Sequence, residues 1–260
     1  MAEGFWKTSI SKVEPNKVVV RGYDLAELIG QVSFGDVVYL LTTGDLPQGN
    51  EGKMIDAILV SACDHGLSAP SADATRFVAS GGVPLQASVA AGLLAIGEWH
   101  AGAIEACARI LQEALAGERV GDVGALAREI VGRFKSEKRR IPGYGHPYHT
   151  ADPRVVKLFE ISESFGLADR HIRLALDIES ELKAASGGRI GMNVDGAIAA
   201  IISDLGIDWR FGKGFFIIAR SAGLVAHAHE QMTQEKPFKA VPLDEIVYTG
   251  PDERPFRKHQ

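Results

Sequence analysis

Six side chains in this sequence are of the types that proton transfer and anion recognition require: His65, His100, His146, Arg154, Asp195 and Arg220. The histidines sit in glycine-flanked breaks, Asp64-His65-Gly66, Trp99-His100-Ala101-Gly102 and Gly145-His146-Pro147. A histidine at a helix end beside glycine is placed to face a cleft, where imidazole moves protons or stabilises an oxyanion near neutral pH. Each one alone also fits an ordinary hydrogen-bonding role, and it is the three together that favour function. Asp195, in Asn193-Val194-Asp195-Gly196, stands at the start of a helical pattern. It reads equally as a second capping acid held by the helix dipole and as a carboxylate base in a cleft. Arg220 lies inside an apolar run, Phe215 to Val225. A buried arginine needs an anionic partner, either an internal acid or a substrate carboxylate. Arg154, after Asp152-Pro153, is a second candidate for holding an anion at a helix start. Three histidines, two arginines and one aspartate suit a small polycarboxylate and proton transfers at carbon.

Metal binding is the competing chemistry, and the spacing disfavours it. His227 and His229 are two apart on a helical pattern and point to different faces, while Pro147 breaks any helix that would present His146 with His149. There is no Cys-x-x-Cys pair, only Cys63 and Cys107. No metal is expected. Gly143-Tyr144-Gly145 follows no strand and so is not a dinucleotide loop, yet its bare backbone lets amides approach a phosphate or a base edge. The basic run Lys135–Arg140 just upstream reads as a solvated face or as a contact for the phosphates of a large anionic cofactor.

The elements that position these residues read as helices. Ile55, Ile58, Leu59 and Ala62 share one helical face, and Pro84 opens a small-residue segment suited to close packing. Further helices fit Ala103–Leu115, Val123–Arg133, Pro153–Ser164, Ala168–Ala185, Val194–Leu205 and Gly214–Met232. Asp152-Pro153 is a helix start, with Asp as N-cap and Pro in the first turn. Breaks are expected at Gly44–Gly52, Lys135–Ala151 and Ser186–Asn193. Only Val18–Val20 has strand character. The pattern predicts an all-α chain forming one compact domain over residues 1–260, with a helical core over about 20–237 and an extended tail over 238–260.

Composition agrees with a folded enzyme. The chain has 260 residues, 46% hydrophobic and 23% charged, which rules out disorder. A net charge of -5 argues against nucleic-acid or anionic-membrane binding through bulk charge. The N-terminus lacks an apolar signal core, and the longest apolar stretch, Val83–Ile96, falls short of the ~20 residues of a membrane span. A cytoplasmic location is expected.

At the level of motifs the sequence resembles the citrate synthase superfamily. Arg21-Gly22-Tyr23, Ser33-Phe34, Val38-Tyr39-Leu40-Leu41 and Gly44-Asp45-Leu46-Pro47 are similar to its N-terminal signature. Pro142-Gly143-Tyr144-Gly145-His146 with Asp152-Pro153-Arg154 resembles its coenzyme A and oxaloacetate stretch. Asn193-Val194-Asp195-Gly196 and Ala219-Arg220-Ser221-Ala222-Gly223 resemble its catalytic segments. The matches run in the family's order from about residue 20 to about residue 237. The chain departs from full citrate synthases by lacking the long stretch that follows the Gly44–Pro47 motif. It shares that compact layout with citryl-CoA lyase and with the C-terminal citrate-synthase-like module of ATP citrate lyase. His100 departs from the lyase module, which has an aromatic there, and Lys236-Pro237 stands where citrate synthases often have Arg-Pro.

The resemblance implies a citrate-synthase-like helical fold with a reduced small domain, and cleavage of citryl-CoA to acetyl-CoA and oxaloacetate. The alternative it leaves is citrate synthase-type condensation of acetyl-CoA with oxaloacetate or a related 2-oxo acid. A catalytically dead sensor is disfavoured by the intact acid and arginines. Residue by residue, it implies that His65, Arg154 and Arg220 bind the oxaloacetate part and that His146 hydrogen-bonds its carbonyl or hydroxyl. Asp195 would exchange the proton at the acetyl carbon, His100 would stabilise the enol oxygen, and Pro142, Gly143, Tyr144 and Gly145 would meet coenzyme A. It further implies no tightly bound cofactor, coenzyme A only as part of the substrate, and a homo-oligomer, at least a dimer.

Overall fold

The computed structural model describes residues 5–116, 122–146 and 151–256. His149, weighed above as a metal partner for His146, lies outside the described residues, as does the end of the tail beyond 256. The chain opens with an antiparallel sheet of β1 (Ser11–Glu14), β2 (Lys17–Val20) and β3 (Tyr23–Asp24), in that order, with Ser11 opposite Val20 and Val19 opposite Asp24. The valine run is thus a strand, but its partner β1, Ser-Lys-Val-Glu, is exposed throughout and carries no apolar alternation to reveal it.

Among the described residues every other regular element is helical: α1 (Leu25–Leu28), α2 (Phe34–Thr43), α3 (Glu51–Ala62), α4 (Pro70–Ser80), α5 (Leu85–Leu94), α6 (Gly102–Leu115), α7 (Val123–Ser136), α8 (Pro153–Ser164), α9 (Arg170–Ser186), α10 (Val194–Asp204) and α11 (Gly212–Gln234), with short 3-10 turns between. The starts are chemically specified. Ser33 and Asp36 form a reciprocal capping box on α2, and the side chains of Asp152 and Asn193 cap α8 and α10. Gly44 and Gly187 end α2 and α9 in the left-handed conformation.

The core is organised around α10. Val194 and every residue from Gly196 to Ser203 are buried, so this helix is apolar on all sides and enclosed. It packs against α6, α8 and α9, with lesser contact to α3 and α11. Ile198, Ile201, Ile104, Leu111, Leu174 and Ile178 are fully buried there; each side chain contributes about 1.5–3 kcal/mol on leaving water. A second layer pairs α4 with α5 and α11. Gly92 on α5 lies against Thr75 and the Ser71 carbonyl, so a side chain there would clash. The small-residue helix therefore packs closely, as expected, but only along Ser88 and Gly92; Ala87, Ala90, Leu85 and Leu94 face outward. After α11, residues 235–256 are exposed and run extended but for one 3-10 turn, Leu243–Glu245.

Candidate active site

Three chain segments converge where α10 begins. The Gly143–Gly145 loop crosses the first turn of α10 with Gly143 and Gly196 in backbone contact. A Cβ on Gly196 would stand 2.5 Å from the Gly143 carbonyl oxygen, and Gly143 itself has φ +85°. Only glycine meets both demands. Asn193 locks this crossing: its Oδ1 accepts from the Asp195 and Gly196 amides, and its Nδ2 donates to the Gly145 carbonyl at 2.8 Å. Gly145 N–H donates to Gly191 O at 2.7 Å, and Asn193 N–H to Gly143 O at 3.0 Å. From the other side, buried Asp152 caps α8 and also accepts the Val194 amide. Residue 195 is thereby fixed where α8, α10 and the glycine loop meet.

The cavity built there has a volume of about 340 Å³ and is lined by His65, His100, His146, Arg154, Asp195 and Arg220, with Trp99, Asn193 and Phe216 among its other walls. All six candidates for chemistry thus face one space. Burial pushes the Asp195 carboxyl up to about 6; the charges of Arg154 and Arg220 oppose the rise and that of Asp152 adds to it. Its reading as a capping acid gives way to Asn193, which performs the capping. The Asp195 carboxyl is left to the cavity.

Arg220 is 2% exposed and donates to two neutral acceptors, Ala62 O at 3.2 Å and Ser71 Oγ at 3.3 Å, while its guanidinium lies over the Phe216 ring at 4.7 Å. Among the described residues it forms no ion pair in direct contact, and the internal acids Asp64 and Asp195 attract it only from farther away. Burial lowers its pKa. The guanidinium thus hydrogen-bonds only neutral acceptors at the wall of the cavity, and it keeps donor capacity for an anion. Arg154 differs: it already forms a bidentate pair with Asp152, Nε to Oδ1 at 2.9 Å and Nη2 to Oδ2 at 2.7 Å. Burial alone would raise Asp152, but the hydrogen bonds and charge of Arg154 hold it below the usual carboxylate range.

His100 is presented by a tight turn in which Gly97 and His100 exchange backbone hydrogen bonds, followed by Ala101 at φ +68°. That left-handed alanine is backbone strain held by its surroundings beside the cavity. Burial, then the charge of Arg220, lowers the His100 pKa, so the ring is neutral at neutral pH. Its Nε2 lies 2.9 Å from Ser71 Oγ. Since Arg220 can only donate to that oxygen, satisfying all three groups makes the Ser71 O–H donate to Nε2, and the His100 proton then sits on Nδ1. Ser71, on α4, was invisible to the sequence reading because nothing in its local pattern marks it. His65 and His146 face each other with ring centres 5.8 Å apart.

A larger cavity of about 660 Å³ adjoins the first and shares Gly145 and His146 with it. Its walls are apolar (Val131, Phe134, Ile141, Leu182, Ile190), and four cations rim it: Lys135, Arg139, Arg140 and Arg189. The basic run therefore borders a cleft, joined by Arg189, a residue no motif marks, from the glycine-rich α9–α10 loop expected as a break. Of the glycine-loop residues, Tyr144 and Gly145 line this cleft. Gly143 is spent on the α10 crossing, and Pro142 borders a separate groove beside Trp209. The Tyr144 hydroxyl donates to Ala175 O at 2.8 Å, which anchors the loop to α9. Among the described residues no group of three His, Cys, Asp or Glu is arranged to hold a metal, and no helix is long and apolar enough to cross a membrane.

Residues 47–241 match the model of the citrate synthase C-terminal domain. Citryl-CoA lyase from Hydrogenobacter thermophilus superposes with a TM-score of 0.90 at 43% identity, covering 98% of both chains. ATP citrate lyase from Methanothrix soehngenii, solved with citrate and coenzyme A, superposes with a TM-score of 0.85 at 24% identity over 97% of this chain and 43% of its own. A probable ATP-citrate synthase of Dictyostelium discoideum is 30% identical over 235 residues, 84% of this chain and 37% of that one. The chain thus spans well under half the length of that curated relative.

Proposed function

The chain belongs to the citrate synthase family, through that family's C-terminal domain, and on that premise we propose that it is a citryl-CoA lyase, cleaving citryl-CoA to acetyl-CoA and oxaloacetate. The observation that carries the reading is the single cavity in which a carboxyl raised to about 6 and a buried arginine that touches no carboxylate stand beside three histidines. The full-length likeness to a citryl-CoA lyase supports cleavage over condensation.

In this reading Arg220, Arg154 and His65 hold the carboxylates of the oxaloacetate half. His146 accepts the proton of the citryl hydroxyl. As that oxygen becomes the ketone of oxaloacetate, the carbon–carbon bond breaks and its electron pair moves into the thioester carbonyl. The His100 Nδ1–H donates to the enolate oxygen that forms, and loss of one such donor costs ~10²–10³ in rate. Protonated Asp195 then delivers its proton to the terminal carbon, giving acetyl-CoA. One proton is taken, one is given, and no water is consumed. A carboxyl near 6 suits this work, because it is protonated often enough to act as an acid and ionised often enough to act as a base in the reverse direction.

Coenzyme A fits the adjoining cleft, with the pantetheine arm passing Gly145 and His146 and the phosphates meeting Lys135, Arg139, Arg140 and Arg189. No tightly bound cofactor enters the scheme. The outward faces of α5, apolar on every side, suit a second copy of the chain, and the location is taken as cytoplasmic. The test is to supply citryl-CoA and, separately, acetyl-CoA with oxaloacetate, following acyl-CoA species by mass spectrometry. Acetyl-CoA from the first mixture without free coenzyme A supports the lyase. Free coenzyme A and citrate from the second would make it a synthase.

A further inference from the structure

Helix α11 carries a second function besides presenting Arg220. Arg220, Gly223 and His227 recur at spacings of three and four, so they form one stripe on the helix. All three engage consecutive residues of the chain just before His65. Arg220 Nε donates to Ala62 O at 3.2 Å. Gly223 lies against the Cys63 carbonyl, where a side chain would clash, and an added Cβ would also meet Asp64 Oδ1 at 3.0 Å. His227 Nε2 lies 2.9 Å from Asp64 Oδ1. The other oxygen of Asp64 accepts the Gly66 amide at 3.0 Å, and Gly66 is in the left-handed region at φ +69°. His65 is therefore flanked by a carboxylate that His227 fixes on one side and by the turn that same carboxylate closes on the other.

From this arrangement we propose that His227 is a positioning residue for substrate binding: acting through Asp64, it fixes the turn that aims His65 into the cavity. Neither His227 nor Asp64 lines that cavity, so the effect is transmitted through the turn. The pair is unevenly sheltered, the His227 side chain 15% exposed and that of Asp64 41%. Solvent tempers its strength accordingly but leaves its direction. Burial alone would raise Asp64, yet the Gly66 amide, His227 and the His65 amide hold its carboxyl below the usual range, as a carboxylate with three donors should be. The part concerning substrate rests on the lyase reading; the anchoring of the turn does not.

The test compares the full chain with His227→Ala and with His227→Gln, which keeps an N–H donor of similar reach. Asp64→Asn is a second route to the same contact should His227→Ala fail to fold. Three quantities are read: the dissociation constant of oxaloacetate by calorimetry, kcat and KM for citryl-CoA, and amide hydrogen exchange over residues 62–69. Expected for His227→Ala are faster exchange confined to that segment, an oxaloacetate constant raised about three- to tenfold, and kcat little changed, because Asp195 and His100 are held by other elements. His227→Gln recovers most of the loss. Equal damage in both His227 variants, loss of kcat with oxaloacetate binding intact, or wild-type exchange and binding in a folded His227→Ala each overturn the proposal. Failure of the lyase reading shows itself differently, as absence of citryl-CoA cleavage by the wild type, and the exchange comparison then decides the anchoring by itself.

Discussion

Replacing Arg220 with methionine separates a binding arginine from a structural one, because the two roles predict opposite outcomes. In the empty protein the substitution removes two hydrogen bonds to neutral acceptors, Ala62 O and Ser71 Oγ, and the stacking on Phe216. Those losses amount to about 1 kcal/mol for each hydrogen bond and about 1 kcal/mol for the stacking. Against them stands relief from the desolvation of a 2%-exposed guanidinium that touches no carboxylate, itself worth several kcal/mol and reduced by the longer-range attraction of Asp64 and Asp195. The contributions offset to within ~2 kcal/mol, so the melting temperature of Arg220→Met should lie within about 5 °C of the wild type. With substrate present the balance changes. A carboxylate left in the cavity without its arginine costs about 3–5 kcal/mol, or ~10²–10⁴-fold in affinity for oxaloacetate. Calorimetry and thermal melting with and without oxaloacetate measure both halves. A variant that melts far below the wild type yet binds oxaloacetate with unchanged affinity would refute the reasoning and make Arg220 a structural ion.

Asp195→Asn should abolish turnover while leaving oxaloacetate binding in place, as steady-state kinetics beside calorimetry will show. The same variant should be more stable than the wild type at neutral pH. The folded carboxyl titrates near 6 against an ordinary 3.8, so folding is opposed increasingly as pH rises from about 4 to 6 and fully above that. Removing the charge recovers ~2–3 kcal/mol at pH 8 and nothing below pH 4, measured by denaturant unfolding at each pH. For the wild type, the rate of citryl-CoA cleavage should fall as pH rises through about 6, where the acid form of Asp195 is lost; a rate rising through that range would contradict its role as proton donor. Ser71→Ala leaves His100 Nε2 without its donor and Arg220 without one acceptor, and kcat should drop about tenfold with the fold intact. Gly196→Ala forces a methyl against the Gly143 carbonyl and should cost about 3 kcal/mol or more in unfolding free energy.

The sequence exposed the site through residue chemistry more fully than through pattern. His65, His100, His146, Arg154, Asp195 and Arg220 are of types that seldom stand idle in apolar surroundings, and all six line one cavity. The helix starts at Asp152 and Asn193 were readable because capping is local. Helix α4 was not, since its buried face is mostly polar, Ser71, Thr75, Arg76 and Ser80, with only Ala72 and Ala79 as small apolar members. Ser71, which joins His100 to Arg220, stayed hidden with it. Arg189 projects from a glycine-rich loop placed by contacts such as Tyr144–Met192, Gly145–Gly191 and Met192–Glu179, and such non-local pairings leave no trace in spacing. The two-residue separation of His227 and His229 disfavoured a shared metal, but it could not reveal that His227 reaches a residue 163 positions earlier. The outward half of α5 shows the reverse limit: its small residues announce close packing without saying against what.

The most direct test of the account is cleavage of citryl-CoA in deuterium oxide by the purified chain, with products resolved by mass spectrometry. If Asp195 protonates the enolate released at the thioester, the acetyl-CoA formed carries a single deuterium in its methyl group, oxaloacetate appears in equal amount, and Asp195→Asn yields neither. Free coenzyme A with citrate, or no turnover of citryl-CoA at all, would contradict it.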